Sequence, residues 1–377
     1  MIVLYLATIL FVFYAGLIVY YWLAWKSIPE FVPAGGYQQA KISVIIPARN
    51  EQENIISCLG SISGQKYPED FFEVIVVDDC SIDNTWQLVR SFPHTPNILP
   101  IRLEPIDDSK FSAHKKRAIQ SGIKLAHNPV IVTTDADCKH PTGWLETLAE
   151  FYYKRSCTSI VAPVDIDNNN SLLESFQALD FLVLQGITGA AVGKNIHPMC
   201  NGANLLYVKD VFHQVGGFEG IDHVASGDDM LLMHKIWQRY PGGVHYLKSR
   251  TAIVSTQPMK TWREFFSQRI RWASKARFYN DWRIKAVLLL VYLFNLSFLV
   301  LFITAFWLPV LWMWLFILLI AKTIVEYPFV HSVAKFFNKQ PLLRYFFFFQ
   351  PIHICYTIVA GWLGQITRYQ WKGRTVK

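Results

Sequence analysis

The hydrophobic positions of this chain gather into two long runs around a middle in which apolar and polar stretches alternate. The first run, Met1 to Leu23, carries no charge, and as a helix it is long enough to cross a hydrocarbon core of ~30 Å. A secretory signal fits it poorly, because no basic segment precedes it and no small-residue cleavage site follows. Tyr20, Tyr21 and Trp22, followed by Lys26, have the character of an interfacial belt and a cytosolic anchor. Residues 1–25 are therefore expected to form a transmembrane helix. The second run begins near Ala286. Residues 286–305 and 308–325 are apolar and divide at Leu308-Pro309, and a third stretch runs from Tyr345 to Leu363 with Pro351 inside it. Proline is tolerated in membrane helices where neighbours satisfy the freed carbonyl. This predicts one helix before the middle region and three within 286–366.

The middle, residues 40–255, has a different rhythm. It follows a linker at Pro33-Ala34-Gly35-Gly36. Ile42 to Ile46, Val74 to Val77, Ile98 to Leu103 and Val130 to Thr133 read as strands. Between them, helical patterns cover Glu51 to Ile62, Asp83 to Val89 and Ser112 to Leu125. Asn50 is a candidate N-cap for the first of these, with Glu53 in the reciprocal position. Continuous apolar strands linked by helices predict an α/β, Rossmann-like domain whose mostly parallel sheet is covered on both faces. Such sheets bind ligands beyond the carboxyl ends of their strands, where the polar motifs of this chain lie. No GxGxxG follows a strand, and neither GxxxxGK[ST] nor HExxH occurs, so dinucleotide, P-loop and zincin chemistry are unsupported.

Charge sharpens the placement. The chain has 377 residues, 52% hydrophobic and 17% charged, which suits neither a single soluble domain nor a pure membrane bundle. Its formal charge is +8, and Arg263, Arg269, Arg271, Lys275, Arg277, Arg283 and Lys285 crowd the stretch before the second apolar run. That satisfies the positive-inside rule for a cytosolic middle domain and suits anionic headgroups. Membrane proximity accounts for the charge, so nucleic acid is the weaker reading. Three crossings would put the basic tail, Arg368 to Lys377, on the far side; either the count differs by one or the last segment is re-entrant. Lys322 is the one charge in mid-helix, which disfavours a transporter. The cysteines at 58, 80, 138, 157, 200 and 355 form no CxxC pair and read as reduced.

Four motifs carry candidate chemistry. Asp78-Asp79 ends the second strand, where paired carboxylates either accept hydrogen bonds from a nucleobase or ribose, or simply form a turn. Asp83 reads as a cap. Asp135-Ala136-Asp137 ends the fourth strand. Residues i and i+2 of an extended chain point the same way, so both carboxylates can reach one hard cation, Mg²⁺ or Mn²⁺. Asp228-Asp229 precedes the helical pattern MLLMHKIW and is either a dipole-complementing cap or a general base. Finally, Thr261-x-x-Glu264 is a capping box, so Gln268, Arg271 and Trp272 fall at i, i+3 and i+4 on one helix face. That face offers an amide, a diphosphate-binding guanidinium and an aromatic plate for a sugar; an interfacial amphipathic helix over 260–285 is the plainer account. Lys115, at the start of a helix, is either phosphate-binding or part of a solvated basic face.

Taken in order, SVIIPARNEQENI, VIVVDDCSIDNT, HKKRAIQSGIKLA, TTDADC, CNGANLLYVKDVFHQVGGF, SGDDMLL and QRIRW resemble the membrane-bound family 2 glycosyltransferases, the branch of cellulose synthase, hyaluronan synthase and ceramide glucosyltransferase. The resemblance covers residues 41–285 and the flanking helices. It implies a GT-A fold, a nucleotide-diphosphate sugar donor (a UDP-sugar in the first instance) and inversion at the anomeric carbon. Pro47, Ala48, Arg49 and Glu51 would then line the nucleobase site with Asp79, and Lys115 would lie near the donor. Asp135 and Asp137 would serve the ribose and the metal, with Asp229 as base and Asp228 beside it. Arg271 would meet the departing diphosphate, and Gln268 and Trp272 the sugars. Two positions depart from the family pattern: Asp228 stands where glutamate is usual, and His114 where glycine is. Three C-terminal helices are few to enclose a polymer, which favours a lipid or lipid-linked acceptor over a processive polysaccharide synthase. An inactive nucleotide-binding scaffold is the rival of another class.

Overall fold

The computed structural model describes residues 2–36, 38–93, 97–106, 113–168, 171–197 and 199–366, together with the backbone of 369–371 and 374–376. The chain opens with helix α1 (Ile2–Ser27) and then enters the sheet. β1 (Ile42–Ala48), α2 (Ile55–Ser63), β2 (Phe72–Asp78), α3 (Thr85–Ser91), β3 (Ile98–Arg102), α4 (His114–Leu125) and β4 (Val130–Thr133) follow. Next come α5 (Trp144–Arg155), β5 (Ser159–Val161), β6 (Val164–Ile166), α6 (Leu172–Gly193), β7 (Leu205–Val208), α7 (Lys209–Gln214), α8 (Met230–Arg239), β8 (Val244–Tyr246) and β9 (Val254–Thr256). The chain continues through α9 (Trp262–Ser274), α10 (Trp282–Thr304), α11 (Val310–Phe336) and α12 (Phe346–Ile366) to the short hairpin β10 (Tyr369–Trp371) and β11 (Arg374–Val376). Of the basic tail, Arg368 and Lys377 lie outside the described residues, as does Ser112, the expected start of α4.

Two compact units result. The sheet unit is built on seven strands in the order β3-β2-β1-β4-β7-β5-β8. β1 pairs in parallel with β2 and β4, and β7 alone runs against its neighbours β4 and β5. β1, β2 and β4 are apolar without alternation because helices cover both faces; Ile45, Ile75 and Val132 are fully buried. β2 and β3 lie to one side of β1, and β4 lies to the other. The carboxyl ends of β1 and β4 therefore flank a topological switch point, where α/β sheets open a ligand crevice. Because β7 is reversed and Leu205 stands opposite Thr133, it brings its amino end to this same edge.

The helical unit comprises Met1–Ile28, Asn168–His197 and Pro258–Tyr369. Segment 168–197, expected inside a continuous 40–255 domain, packs here instead: α6 lies against α1 and α11. Among the described residues five helices, α1, α6, α10, α11 and α12 with the turn before it, are long and apolar enough to cross a membrane. α6 differs from the others in kind. It leaves the sheet after β5 and β6 and returns at β7, and β5 and β7 are paired. A single crossing would put paired strands on opposite sides of a bilayer, so α6 serves as a packed helix. Its apolar window is 78% buried within the protein, against 22% for α1.

Local chemistry explains where several boundaries fall. The capping box at α9 forms as its spacing predicts: Thr261 Oγ1 accepts from Glu264 N at 3.2 Å, and Glu264 Oε2 accepts from Thr261 N at 3.1 Å. The expected helix over 260–285 is broken, however. α9 ends at Ser274, a 3₁₀ turn covers Lys275–Phe278, and Asp281 caps α10 by accepting from Arg283 N. α2 begins at Ile55, not at Glu51. Asn50 does not cap it, because its side chain accepts from Ile82 N at 3.0 Å and its backbone sits at φ 51°. α11 extends beyond residue 325 and places Glu326 beside Lys322, which is therefore accompanied by a carboxylate. Lys322 Nζ lies 2.6 Å from Glu326 Oε1 and 2.5 Å from Gln350 Oε1, and Tyr14 donates to Glu326. These buried groups satisfy one another, as polar groups in apolar helices must.

Candidate active site

The carboxyl edge of the sheet carries the acidic motifs of the sheet unit, and one lysine joins two of them. Asp135 and Asp137 follow β4, partly exposed on either side of buried Ala136; the strand ends at Thr133 and the Asp135 carbonyl accepts from Cys138 N at 3.1 Å, so the motif lies in a turn and not in the extended chain its spacing suggested. Asp228 and Asp229 arrive from the loop before α8, and α4 begins at His114 with Lys115 next. Lys115 Nζ lies 2.6 Å from Asp135 Oδ1 and 3.2 Å from Asp228 Oδ2. Burial alone would push this ammonium down, but Asp135, Asp228 and Asp229 outweigh it and hold Lys115 well above the usual lysine range. It is a permanent cation here, not a base.

The two members of the Asp228-Asp229 pair occupy distinct positions. Asp228 is buried and joined to Lys115. Asp229 is partly exposed and is the N-cap of α8; its Oδ1 accepts from Met230 N at 2.7 Å, and its Oδ2 accepts from Gly202 N at 3.3 Å. A helix N-terminus stabilises this carboxylate. The Gly202 contact depends on residues that the sequence alone did not single out. Asn204 is fully buried, accepting from Trp144 Nε1 and donating to the carbonyls of Pro163 and Ala252, which fixes the amino end of β7 against Asp229. Two asparagines flanking a glycine in CNGAN were the available signal.

Around β1 and β2 the same edge is braced from within. Arg49 Nη1 donates to the carbonyls of Asp79 and Cys80 at 2.6 and 3.0 Å, tying the end of β1 to the loop after β2. Pro47 is partly exposed and Ala48 is buried at the end of β1. Buried Glu51 donates its N–H to Thr85 Oγ1 and accepts from Asn54 Nδ2. Asp79 is buried with His114 Nδ1 3.9 Å away. Asp78 belongs to the turn: burial raises its carboxyl, while the Ser81 N–H and Arg102 act in the opposite sense. Asp83, read as a cap, accepts from the Thr85 N–H and hydroxyl and from Gln52 N.

A divalent cation fits this edge in one way. Among the described residues no three His, Cys, Asp or Glu side chains converge as a protein-only cage. Burial, with Asp137 as the next cause, pushes the thiols of Cys58 and Cys138 up, so neither supplies a thiolate. The donors on offer are hard carboxylate oxygens of Asp135 and Asp137, and Asp135 already bears Lys115. That set suits Mg²⁺ or Mn²⁺ completing its shell with phosphate oxygens.

His140 is structural. It is buried between Ser61 Oγ, 3.0 Å from Nδ1, and Thr134 Oγ1, 2.8 Å from Nε2, and burial pushes it down to about 3. In the unfolded chain it titrates near 6.5, so between roughly pH 6.5 and pH 3 the unfolded state binds the extra proton. Its contribution to stability is intact above about pH 6.5 and falls as pH drops, by up to about 1.4 kcal/mol per pH unit. Thermal melts at about pH 7.5 and about pH 5 should show a smaller acid loss for His140→Gln than for wild type. Equal losses would contradict the assignment.

Gln268, Arg271 and Trp272 belong to the helical unit and are partly exposed on α9. Gln268 Oε1 is buried with no hydrogen-bond partner among the described residues. The basic cluster is not uniformly solvent-facing, as a headgroup-binding surface would require. Arg269 is 3% exposed, with Nη2 2.7 Å from Asp180 Oδ2 of α6. Its guanidinium lies 4.3 Å from the Trp272 ring centre and 4.9 Å from that of Phe265. Tyr356 and His353 of α12 complete the group by hydrogen-bonding Asp180 Oδ1. Lys275 is buried too. The spacing Phe265, Arg269, Trp272 was the sequence signal for this inward face.

Fold and edge together define a GT-A-like α/β domain joined to long apolar helices. The family described as Glycosyl transferase family 2 matches residues 43–216, and Glycosyl transferase family group 2 matches residues 130–363, more than half of the chain. The chain belongs to the family 2 glycosyltransferases. It is 28% identical over 192 residues to Glycosyltransferase AglE of Haloferax volcanii, covering 50% of this chain and 59% of that one. It is 28% identical over 160 residues to an undecaprenyl-phosphate 4-deoxy-4-formamido-L-arabinose transferase of Yersinia pestis, covering 41% and 46%. The chain thus spans about half the length of the curated relatives it matches. Among solved structures, the mannosyltransferase PcManGT of Pyrobaculum calidifontis, in complex with GDP-Man and Mn²⁺, superposes with a TM-score of 0.56 at 20% identity. That likeness covers 96% of this chain and 99% of the other, and it shows the fold.

Proposed function

We propose that this protein transfers a sugar from a nucleotide-diphosphate sugar to a lipid or lipid-linked acceptor at the cytosolic face of a membrane, with inversion. The observation that carries the reading is the carboxylate edge at the switch point, where Asp135, Asp228 and Asp229 surround Lys115 in a chain with five membrane-length helices. Asp79 with Pro47, Ala48, Arg49 and Glu51 receives the nucleoside. Asp137, with Asp135, would hold Mg²⁺ or Mn²⁺ against the diphosphate, and such a cation supplies charge neutralisation on the leaving group. The PcManGT complex, which contains Mn²⁺, supports that choice of metal.

Asp229 is the base. Its carboxylate takes the proton of the acceptor hydroxyl, the acceptor oxygen bonds to the anomeric carbon, and the carbon–oxygen bond to the diphosphate breaks with its electron pair on the departing nucleoside diphosphate. A single in-line displacement inverts the centre. Partial exposure and the α8 N-terminus support this role, whereas Asp228 is tied to Lys115. The family resemblance adds Arg271 as the fixed cation for the departing diphosphate, with Gln268 and Trp272 toward the sugars. A lipid acceptor is supported by the helices and by the Yersinia relative, whose name specifies a lipid, undecaprenyl phosphate; the base step applies to an acceptor that presents a hydroxyl. The test is to incubate membranes carrying the protein with labelled UDP- and GDP-sugars and Mn²⁺ or Mg²⁺, then extract lipid. Label in the lipid phase, lost with EDTA, is expected. If no donor is hydrolysed or transferred, the enzyme reading is wrong and the nucleotide-binding scaffold stands.

A further inference from the structure

Lys116 is the neighbour of the lysine at the carboxylate edge, yet it does something different. It is 2% exposed, and its ammonium donates to three backbone carbonyls, Ile221 O at 2.7 Å, Val224 O at 2.6 Å and Ser226 O at 2.9 Å. An ammonium carries three N–H donors, and all three are matched by this one loop. Burying a cation is costly without such partners, so the arrangement stands on the loop holding its shape. The loop leads directly into Gly227, Asp228 and Asp229. Gly220 and Gly227 bracket it at φ 77° and 82°, the left-handed backbone region that favours glycine. Lys115 and Lys116, successive residues of α4, thus meet the same segment twice: one at the Asp228 side chain and one at the backbone just before it.

We propose that Lys116 is a positioning residue for the candidate base: it clamps residues 221–226 to α4 and so sets where Asp229 stands relative to the carboxylate edge. The inference rests on the functional reading above. A side chain of the same length without charge keeps the packing and removes the clamp, so Lys116→Met is the first variant. Misplacement of a reacting group by about 1 Å costs up to about 10²-fold in rate, and kcat for transfer should fall by about 30-fold with the donor KM within about twofold. Hydrogen exchange should rise by about tenfold or more in peptides covering 219–229 and stay unchanged in β1, β2 and β4. If Lys116→Met does not accumulate as folded protein, Lys116→Gln, which keeps two donors, is read in the same way with a smaller loss of kcat.

Unchanged kcat in the folded variant overturns the proposal, and so does faster exchange spread through the whole sheet, which would make Lys116 merely structural. The two levels fail separately. A wild-type protein that transfers no sugar defeats the functional reading and the positioning role with it. An active wild type whose variant keeps its kcat defeats the positioning role alone.

Discussion

Asp229→Asn should lose sugar transfer to a hydroxyl acceptor by about 10²–10⁴-fold while nucleotide binding stays within about twofold. Asp229 has two duties at one position, capping α8 through Met230 N and accepting from Gly202 N at the carboxylate edge. Asparagine caps helices about as well as aspartate, so the fold keeps its N-cap; the amide has one acceptor oxygen, so the longer Gly202 contact goes together with the proton acceptor. Asp229→Ala would mix the two effects, adding about 1 kcal/mol of lost capping. The measurements are single-turnover transfer and nucleotide affinity on the same preparation. Retained transfer would mean that the acceptor nucleophile needs no base, as a phosphate oxygen does not, and the assignment would fall. Asp228→Asn should behave differently, since that carboxylate is buried against Lys115 and its loss leaves the ammonium with Asp135 alone at contact distance.

Arg269→Met should destabilise the helical unit by about 3–5 kcal/mol, the cost of leaving a buried carboxylate without its cation. Asp180 is 7% exposed, the one buried acid on α6 among its described residues, and it holds Arg269, His353 and Tyr356 together. Removing both charges, as Asp180→Leu with Arg269→Met, should recover much of the loss, because two apolar side chains of similar volume do not need each other's charge. Unfolding midpoints in detergent, compared across wild type, both single variants and the double variant, give the coupling directly. An Arg269→Met variant within about 1 kcal/mol of wild type would show that His353 and Tyr356 satisfy Asp180 without Arg269.

Much of this architecture was legible along the chain, for a common reason. The ends of β4 at Val130 and Thr133, the capping box at Thr261 and the apolar runs of α1, α10 and α12 depend on residues close in sequence. Continuous apolar strands announce a covered parallel sheet, and i to i+3 capping announces a helix start, whatever lies elsewhere.

What only the tertiary structure decided depends on partners far away in the chain. Asn50 reads as a cap until Ile82 N claims its side chain, and α2 then starts at Ile55. Arg269 reads as one basic residue among seven until α6 brings Asp180 to it. α6 itself reads as part of the sheet domain, and its place in the helical unit follows from packing against α1 and α11. Asp228 and Asp229 are adjacent and chemically alike in sequence. Lys115, more than a hundred residues earlier, separates them by pairing with one and leaving the other at the α8 N-terminus. Local pattern chose the elements and supplied the acids; long-range electrostatics and burial assigned each acid its environment.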